Sequence, residues 1–197
     1  MKIKFSQSFE AKRSRIRRLP ELGDQICDGA IKCDMIAINK TFQDGIRNDT
    51  FSLRRLAEIT KLQKKQAGYT KPSHPLYGAG DTEKNSYINM MRIKKIGKTK
   101  WKLFPSWAKH HKSKLKLREL FAIHEHGAII KHGKSMIKIP PRPAFEYAYN
   151  RYMNDKRISE IAKEIRNAIT DYINNGKNKL VEIYLNYSSR VYKEEQD

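Results

Sequence analysis

Cysteine is scarce in this chain: Cys27 and Cys33 are the only two among 197 residues. They stand six positions apart in a segment that reads as helix, so they lie on different faces. That excludes a disulfide or a paired metal ligand, and both are expected to act as small apolar packing residues. Long apolar runs are missing as well. None approaches the roughly 20 residues a helix needs to cross a bilayer, and the start, MKIKFSQSFEAKRSRIRR, lacks the apolar core of a secretory signal. A chain made and used in the cytoplasm, with no membrane partner, is the expectation. Catalytic signatures are equally scarce: there is no Gly-x-Ser-x-Gly, no P-loop, no GxGxxG and no paired carboxylates in an apolar setting. The residues therefore point away from an enzyme.

Charge of one sign is abundant. Lys and Arg number 41 against 21 Asp and Glu, a net charge of +20. Such a balance speaks to partners, not to fold; nucleic acid, an acidic protein surface and an anionic membrane are each a suitable counterpart. The excess is segregated. From Arg92 to Arg118 there are eleven basic residues and no acid, whereas Asp155 to Asp197 holds eight of each sign. The candidate basic surface is Lys94, Lys95, Lys98, Lys100, Lys102, Lys109, Lys112, Lys114, Lys116 and Arg118, with Trp101, Phe104 and Trp107 interleaved. Lysines of this density neutralise phosphates, and the aromatics are able to stack on unpaired bases. The plainer reading gives the aromatics to sheet packing and the lysines to a solvated face. Lysine outnumbers arginine here, which suits diffuse attraction better than bidentate base reading.

The 39% hydrophobic content supports one medium core. Residues 2–5, KIKF, alternate like a short strand. From Glu21 to about Arg47, after Pro20, apolar positions recur every three or four, which predicts one long amphipathic helix. Ser52 is placed to cap a second helix, LRRLAEITKLQKKQ, that stops at Gly68. YTKPSHPLYGAG (69–80) is too broken by proline and glycine to be an element. YINMMRIKKI (87–96) and KWKLF (100–104) flank a short glycine turn and read as a hairpin, with Trp101 and Leu103 on one face. Leu117, Leu120, Phe121 and His124 fall at helical spacing, with Gly127 as terminator. AIIK and SMIKI form a second antiparallel pair across HGK. A helix from Arg142 continues to Gly176, and a last one spans about 178–193. The expected architecture is α+β: a long N-terminal helix packed on a four-stranded antiparallel sheet, followed by C-terminal helices. The expected organisation is one domain over 1–177 with a helix at 178–197 appended.

Two short stretches carry the functional reading. FAIHEHG (121–127) brings His124 and His126 together, but a zinc-binding helix needs histidines at i and i+4 around a glutamate. At i and i+2 they point about 200° apart on a helix, so His124 is expected half-buried, His126 exposed, and neither a metal ligand. IPPRPAF (139–145) reads as a rigid corner. Ile139 ends a strand, Pro140 and Pro141 hold the backbone extended, and Pro143 suits the first turn of the next helix. Arg142 carries its charge on that corner, available to pair across an interface, and Phe145 and Tyr149 are spaced to pack under the sheet.

These two stretches, in this order and at this distance, resemble the tail-completion or head–tail joining proteins of long-tailed bacteriophages. In that family a helix ends in His-Glu-x-Gly, two short strands follow, and an Ile-Pro-x-Arg-Pro-Phe-like element opens a helix. His124, Glu125 and Gly127 match the first element; Ile139, Pro140, Pro141, Arg142, Pro143 and Phe145 match the second, with Ala144 intervening before the phenylalanine. Upstream, FSLRRLAEITKLQKK and HPLYGAGDTEKNSYI look like the family's basic short helix and turn, although Gly78-Ala79-Gly80 replaces its Thr-Gly. The likeness covers about residues 20–175. It implies a non-enzymatic structural virion protein in the neck or tail, a homo-oligomeric ring of six copies without a cofactor. Tail terminator, tail tube and head-connector proteins are its neighbours, and DNA passes through the ring. Head-to-tail ring subunits need two complementary faces, and a cationic middle and a mixed-charge C-terminal half offer them. The lysines are expected to face mainly an acidic neighbour. A nucleic-acid-binding protein that uses the cationic 92–118 hairpin and loop is the competing reading.

Overall fold

A computed structural model describes residues 7–77, 84–111, 115–132, 135–154 and 157–176. The expected strand at 2–5, the last helix at 178–193, the Gly78–Gly80 turn, and Lys112 and Lys114 lie outside that set. The elements run α1 (Gln7–Arg47), α2 (Glu58–Gln66), β1 (Met91–Gly97), β2 (Lys100–Pro105), α3 (Leu117–His126), β3 (Ala128–His132), β4 (Ser135–Ile139), α4 (Ala144–Met153) and α5 (Arg157–Asn175). The class is α+β, as the sequence suggests, but the four-stranded sheet is overturned: among the described residues β1 pairs only with β2, and β3 only with β4. Alternation and a short turn specify each hairpin locally. Joining one hairpin edge to another is a non-local event that alternation does not encode.

Two compact units result, Met1–Ile36 with Lys95–Trp101 and Asp155–Asp197, and Ala37–Lys94 with Lys102–Asn154. In the first, α1 presents Asp28 to the β1–β2 turn region. Its carboxylate accepts a bond from the Trp101 indole at 2.8 Å and one from Lys95 at 2.6 Å, and Asp24 pairs with Lys98. Lys95 and Trp101 together hold the Asp28 carboxyl below its usual range. Helix α1 starts well before Pro20, which therefore sits inside it and removes one rung from its ladder. The basic stretch it absorbs has a structural use. Arg15 donates to the carbonyls of Ile173 and Asn174 at 3.4 and 3.2 Å, placing a cation on the C-terminal carbonyls of α5. Cys33 is buried here as expected, while Cys27 is exposed.

The second unit holds a core of Phe42, Ile46, Phe51, Leu53, Tyr77, Tyr87, Ile88, Met90, Met91, Leu117, Ala144 and Ala148. Phe42 is its aromatic centre, with ring centroids 6.1 Å from both Tyr87 and Phe145. Phe51 closes it by pressing its ring against the last turns of α1 at Gly45, whose missing side chain permits this. A Cβ there would overlap the phenyl ring outright.

Helix α2 is shorter than expected. Ser52 has φ +50°, and Ala57, in extended conformation, precedes the helix without a side-chain cap. Two tertiary demands hold Leu53–Ala57 out of it. Leu53 is drawn into the core, and the Arg54 carbonyl accepts a bond from the Arg142 guanidinium at 3.0 Å, a group that a longer helix would engage internally. The expected single helix after Arg142 is likewise two, α4 and α5. Phe145 packs on the core, but Tyr149 faces outward.

Candidate functional site

Helix α3 ends where the chain must reverse into a hairpin and return to start α4. Gly127 makes the turn possible. Its φ of +76° suits glycine, and a Cβ on it would stand 2.9 Å from the Ile139 carbonyl oxygen and 3.1 Å from the Pro141 ring. The ends of the hairpin therefore lie against each other. Ala128 pairs with Ile139, Ile130 with Ile137 and His132 with Ser135. The returning strand reaches Pro140 and Pro141, whose rings prevent helix from starting early. The Arg142 amide then bonds the His124 carbonyl at 2.5 Å.

The side chain of Glu125 completes this join. It is 8% exposed and accepts hydrogen bonds from the amides of Phe145 at 2.9 Å and Glu146 at 3.4 Å. Pro143 precedes α4 and has no capping side chain, so the N–H groups of that first turn take their acceptor from another helix. A carboxylate at a helix N-terminus is favoured by the helix dipole too. Burial nevertheless raises the Glu125 carboxyl above its ordinary range, with the two amide bonds acting in the opposite direction. The two sequence stretches at 121–127 and 139–145 thus meet in space, each satisfying the other's backbone.

Beside the join opens a cavity of about 280 Å³. Leu56, Pro75, Leu76 and Leu120 give it an apolar wall, and Lys64, Tyr87, His124 and Arg142 give it polar groups. The Lys64 ammonium donates to the carbonyls of His74 and Tyr77 at 2.7 and 2.6 Å. Burial, with the Arg142 charge adding to it, pulls its pKa down to about 8. Arg142 is 7% exposed, and its guanidinium is turned inward to Arg54, not outward from the corner. The His124 ring stands edge-on to Tyr87 with centroids 5.0 Å apart. Its pKa falls to about 4 through burial first and the Arg142 and His110 charges second. His124 Nδ1 and the Tyr87 hydroxyl are buried without a hydrogen-bond partner among the described residues.

The hairpin itself is the opposite of buried. Ile130 and Ile137, paired across one face, are 39% and 48% exposed; Ile129 and Met136, on the other, are 65% and 67% exposed. Each strand has one hydrogen-bonded neighbour, so each keeps a free edge among the described residues.

The basic positions are dispersed. Lys95, Lys98 and Lys100 fall in the first unit; Lys94, Lys102, Lys109, Lys116 and Arg118 fall in the second. Lys95 and Lys98 are already ion-paired with α1 carboxylates. Lys102 lies 5.8 Å from the Phe104 ring centroid, and Arg118 stacks 3.6 Å over the exposed Trp107. The Trp101 indole N–H is committed to Asp28. His126 is exposed; His110 and His111 have ring centroids 4.3 Å apart. Among the described residues no group of three or more His, Cys, Asp or Glu is placed to hold a metal ion, and no helix is long and apolar enough to cross a membrane.

Sequence reasoning missed Lys64, Tyr87 and the Arg54 carbonyl. Lys64 is one of several lysines on a short amphipathic helix, Tyr87 looks like a strand residue, and a backbone acceptor leaves no trace in composition. No protein-family model, curated protein or solved structure matches the chain.

Two outcomes follow from this geometry. Glu125→Ala leaves two amides of α4 without an acceptor and should cost about 1–2 kcal/mol of unfolding free energy. Glu125→Gln, which keeps one acceptor oxygen, should cost less; urea denaturation of the three chains measures both. The second outcome concerns acid. With His124 at about 4 in the fold against 6.5 ordinarily, the unfolded chain binds a proton that the folded chain refuses between those values. Stability contributed by the neutral ring is complete above about pH 6.5 and is lost as pH falls toward 4, up to about 3 kcal/mol. Glu125, whose raised pKa works in the reverse sense, opposes this trend. The diagnostic is therefore the difference: in His124→Gln the decline in unfolding free energy over this range should be shallower than in the parent chain.

Proposed function

We propose that the chain is a structural, non-enzymatic subunit of a long-tailed phage virion, one copy of a six-membered ring that completes the tail and joins it to the head connector. In this reading hairpin β3–β4 is a contact arm. It works in the neck of the virion, between tail tube, tail terminator and connector, and is assembled there in the host cytoplasm.

The exposed apolar hairpin carries the proposal. A two-stranded ribbon is marginal in water by itself, and free strand edges with apolar faces are a liability that monomeric proteins avoid. This ribbon displays Ile129, Ile130, Met136 and Ile137 from a base fixed at both ends by Gly127 and the Pro140–Pro141 corner. A rigidly mounted ribbon with an isoleucine pair on one face, and Ile129 and Met136 set among Lys131 and Lys138 on the other, fits a subunit that meets different neighbours on different surfaces. The resemblance to joining proteins adds weight, because Glu125, Gly127, Pro141 and Arg142 of its two motif elements build the mount. The exposed Lys94, Lys100 and Lys109 remain suited to an acidic neighbouring protein. The nucleic-acid reading keeps one supporting observation, the exposed Trp107 with Arg118 stacked on it.

The test is particle assembly with the double substitution Ile130→Lys and Ile137→Lys. Both side chains are solvent-exposed, so the purified variant should keep its far-UV circular dichroism and its melting temperature within about 2 °C. Lysates in which it replaces the parent chain should contain separate heads and tails by electron microscopy. Joined, infectious particles at normal yield would contradict the proposal. Tight DNA binding by the parent chain, falling steeply with salt and abolished by Trp107→Ala, would favour the nucleic-acid reading instead.

A further inference from the structure

The cavity beside the join has a charge imbalance that the fold does not resolve. Lys64 and Arg142 both line it, and neither is ion-paired to a carboxylate among the described residues. The buried carboxylate closest in sequence, Glu125, is turned to the amides of Phe145 and Glu146. Burial depresses the Lys64 pKa with Arg142 as the second cause, and depresses that of Arg142 with Arg54 as the second. The charges acting on these two groups are thus cations. Arg142 is buried and Lys64 part-buried, and withdrawing cations from water without a counter-ion is costly, so such an arrangement favours an anion.

The donors are also incompletely used. Lys64 has three N–H groups and gives two to carbonyls. Arg142 gives Nε to Arg54, which leaves its two terminal nitrogens without a partner among the described residues. Those nitrogens form the planar fork that matches a carboxylate bidentately. The Tyr87 hydroxyl, on a residue only 5% exposed, has no partner among the described residues either. A buried unpaired hydroxyl is uncommon enough to require a reason.

The apolar part of the lining decides what kind of anion fits. Leu56, Pro75, Leu76 and Leu120 offer no hydrogen bond, and a bare inorganic anion would leave them in contact with water. An apolar body attached to the charge would cover them.

We propose that this cavity binds a small organic carboxylate, its anionic head held by Arg142, Lys64 and the Tyr87 hydroxyl and its apolar body against the leucine and proline wall. This site is independent of the ring reading, since no residue of the hairpin lines it.

Calorimetric titration of the full chain with benzoate, benzyl alcohol and inorganic phosphate tests it. Benzoate should bind saturably at one site below about 10 mM. Neutral benzyl alcohol should bind at least about tenfold more weakly for want of the charge-assisted bonds, and phosphate should bind more weakly than benzoate. Tyr87→Phe removes a hydroxyl that bonds nothing in the free chain, so it should fold normally and lose about threefold or more in benzoate affinity. Lys64→Met and Arg142→Gln should each lose about tenfold or more; if either fails to fold, Tyr87→Phe and the ligand series decide. No saturable benzoate binding overturns the proposal. So does benzyl alcohol binding as tightly as benzoate, phosphate binding more tightly than benzoate, or unchanged benzoate affinity in the folded variants.

Discussion

The carboxylate of Glu125 takes the amide hydrogens of Phe145 and Glu146, and most of the second unit depends on that short reach from one helix to the start of another. Proline at 143 begins α4 without a capping side chain, so the first turn would otherwise present bare donors to a half-buried interface. By meeting them, Glu125 fixes α4 against α3. Phe145 is thereby delivered onto Phe121 and Phe42, with ring centroids 5.9 and 6.1 Å away, and Ala144 and Ala148 are drawn into full burial. The His124 carbonyl and the Arg142 amide make the same join one step closer to the chain reversal. Arg142 then carries it to the non-helical segment before α2 through the Arg54 carbonyl.

Everything between Gly127 and Pro141 consequently stands on a firm base. The hairpin needs little from its own unit, and Ile129, Ile130, Met136 and Ile137 stay exposed. Beside the same join, the Arg142 guanidinium is bonded to the Arg54 carbonyl and lines a cationic cavity. One constraint therefore has two consequences, a displayed hairpin and a positively charged cavity. They are chemically unlike, and the proposed partners differ accordingly, a protein neighbour for the ribbon and a small anion for the cavity.

The local parts of this were legible in the residues. Gly127 as a helix terminator, the two hairpins across GKT and HGK, and the proline corner all depend on neighbours within a few positions. What failed was non-local. The two hairpins do not merge into one sheet, because alternation says nothing about which edges meet. Residues Leu53–Ala57 carry a helical pattern, yet the core and Arg142 hold them out of the helix. Pro20 reads as a helix start, but the preceding basic segment remains helical and puts Arg15 on the end of α5. Arg142 was expected outside, on the reasoning that a charged head at a corner faces solvent. The Arg54 carbonyl that draws it inward belongs to backbone 88 positions away and has no signature in the sequence. Glu125 was recognisable as part of a motif, but its role as a cap for α4 was not, since the helix it serves begins 19 positions later.

Amide hydrogen exchange of the free chain, read residue by residue by NMR, tests the join most directly. The amides of Arg142, Phe145 and Glu146 should exchange as slowly as those in the middle of α3, opening only with the unit as a whole. Amides on the free edges of β3 and β4 should exchange much faster. If Phe145 and Glu146 instead exchange at rates close to those of the unfolded chain while α3 stays protected, Glu125 does not hold α4, and neither the mounted hairpin nor the cavity rests on this join.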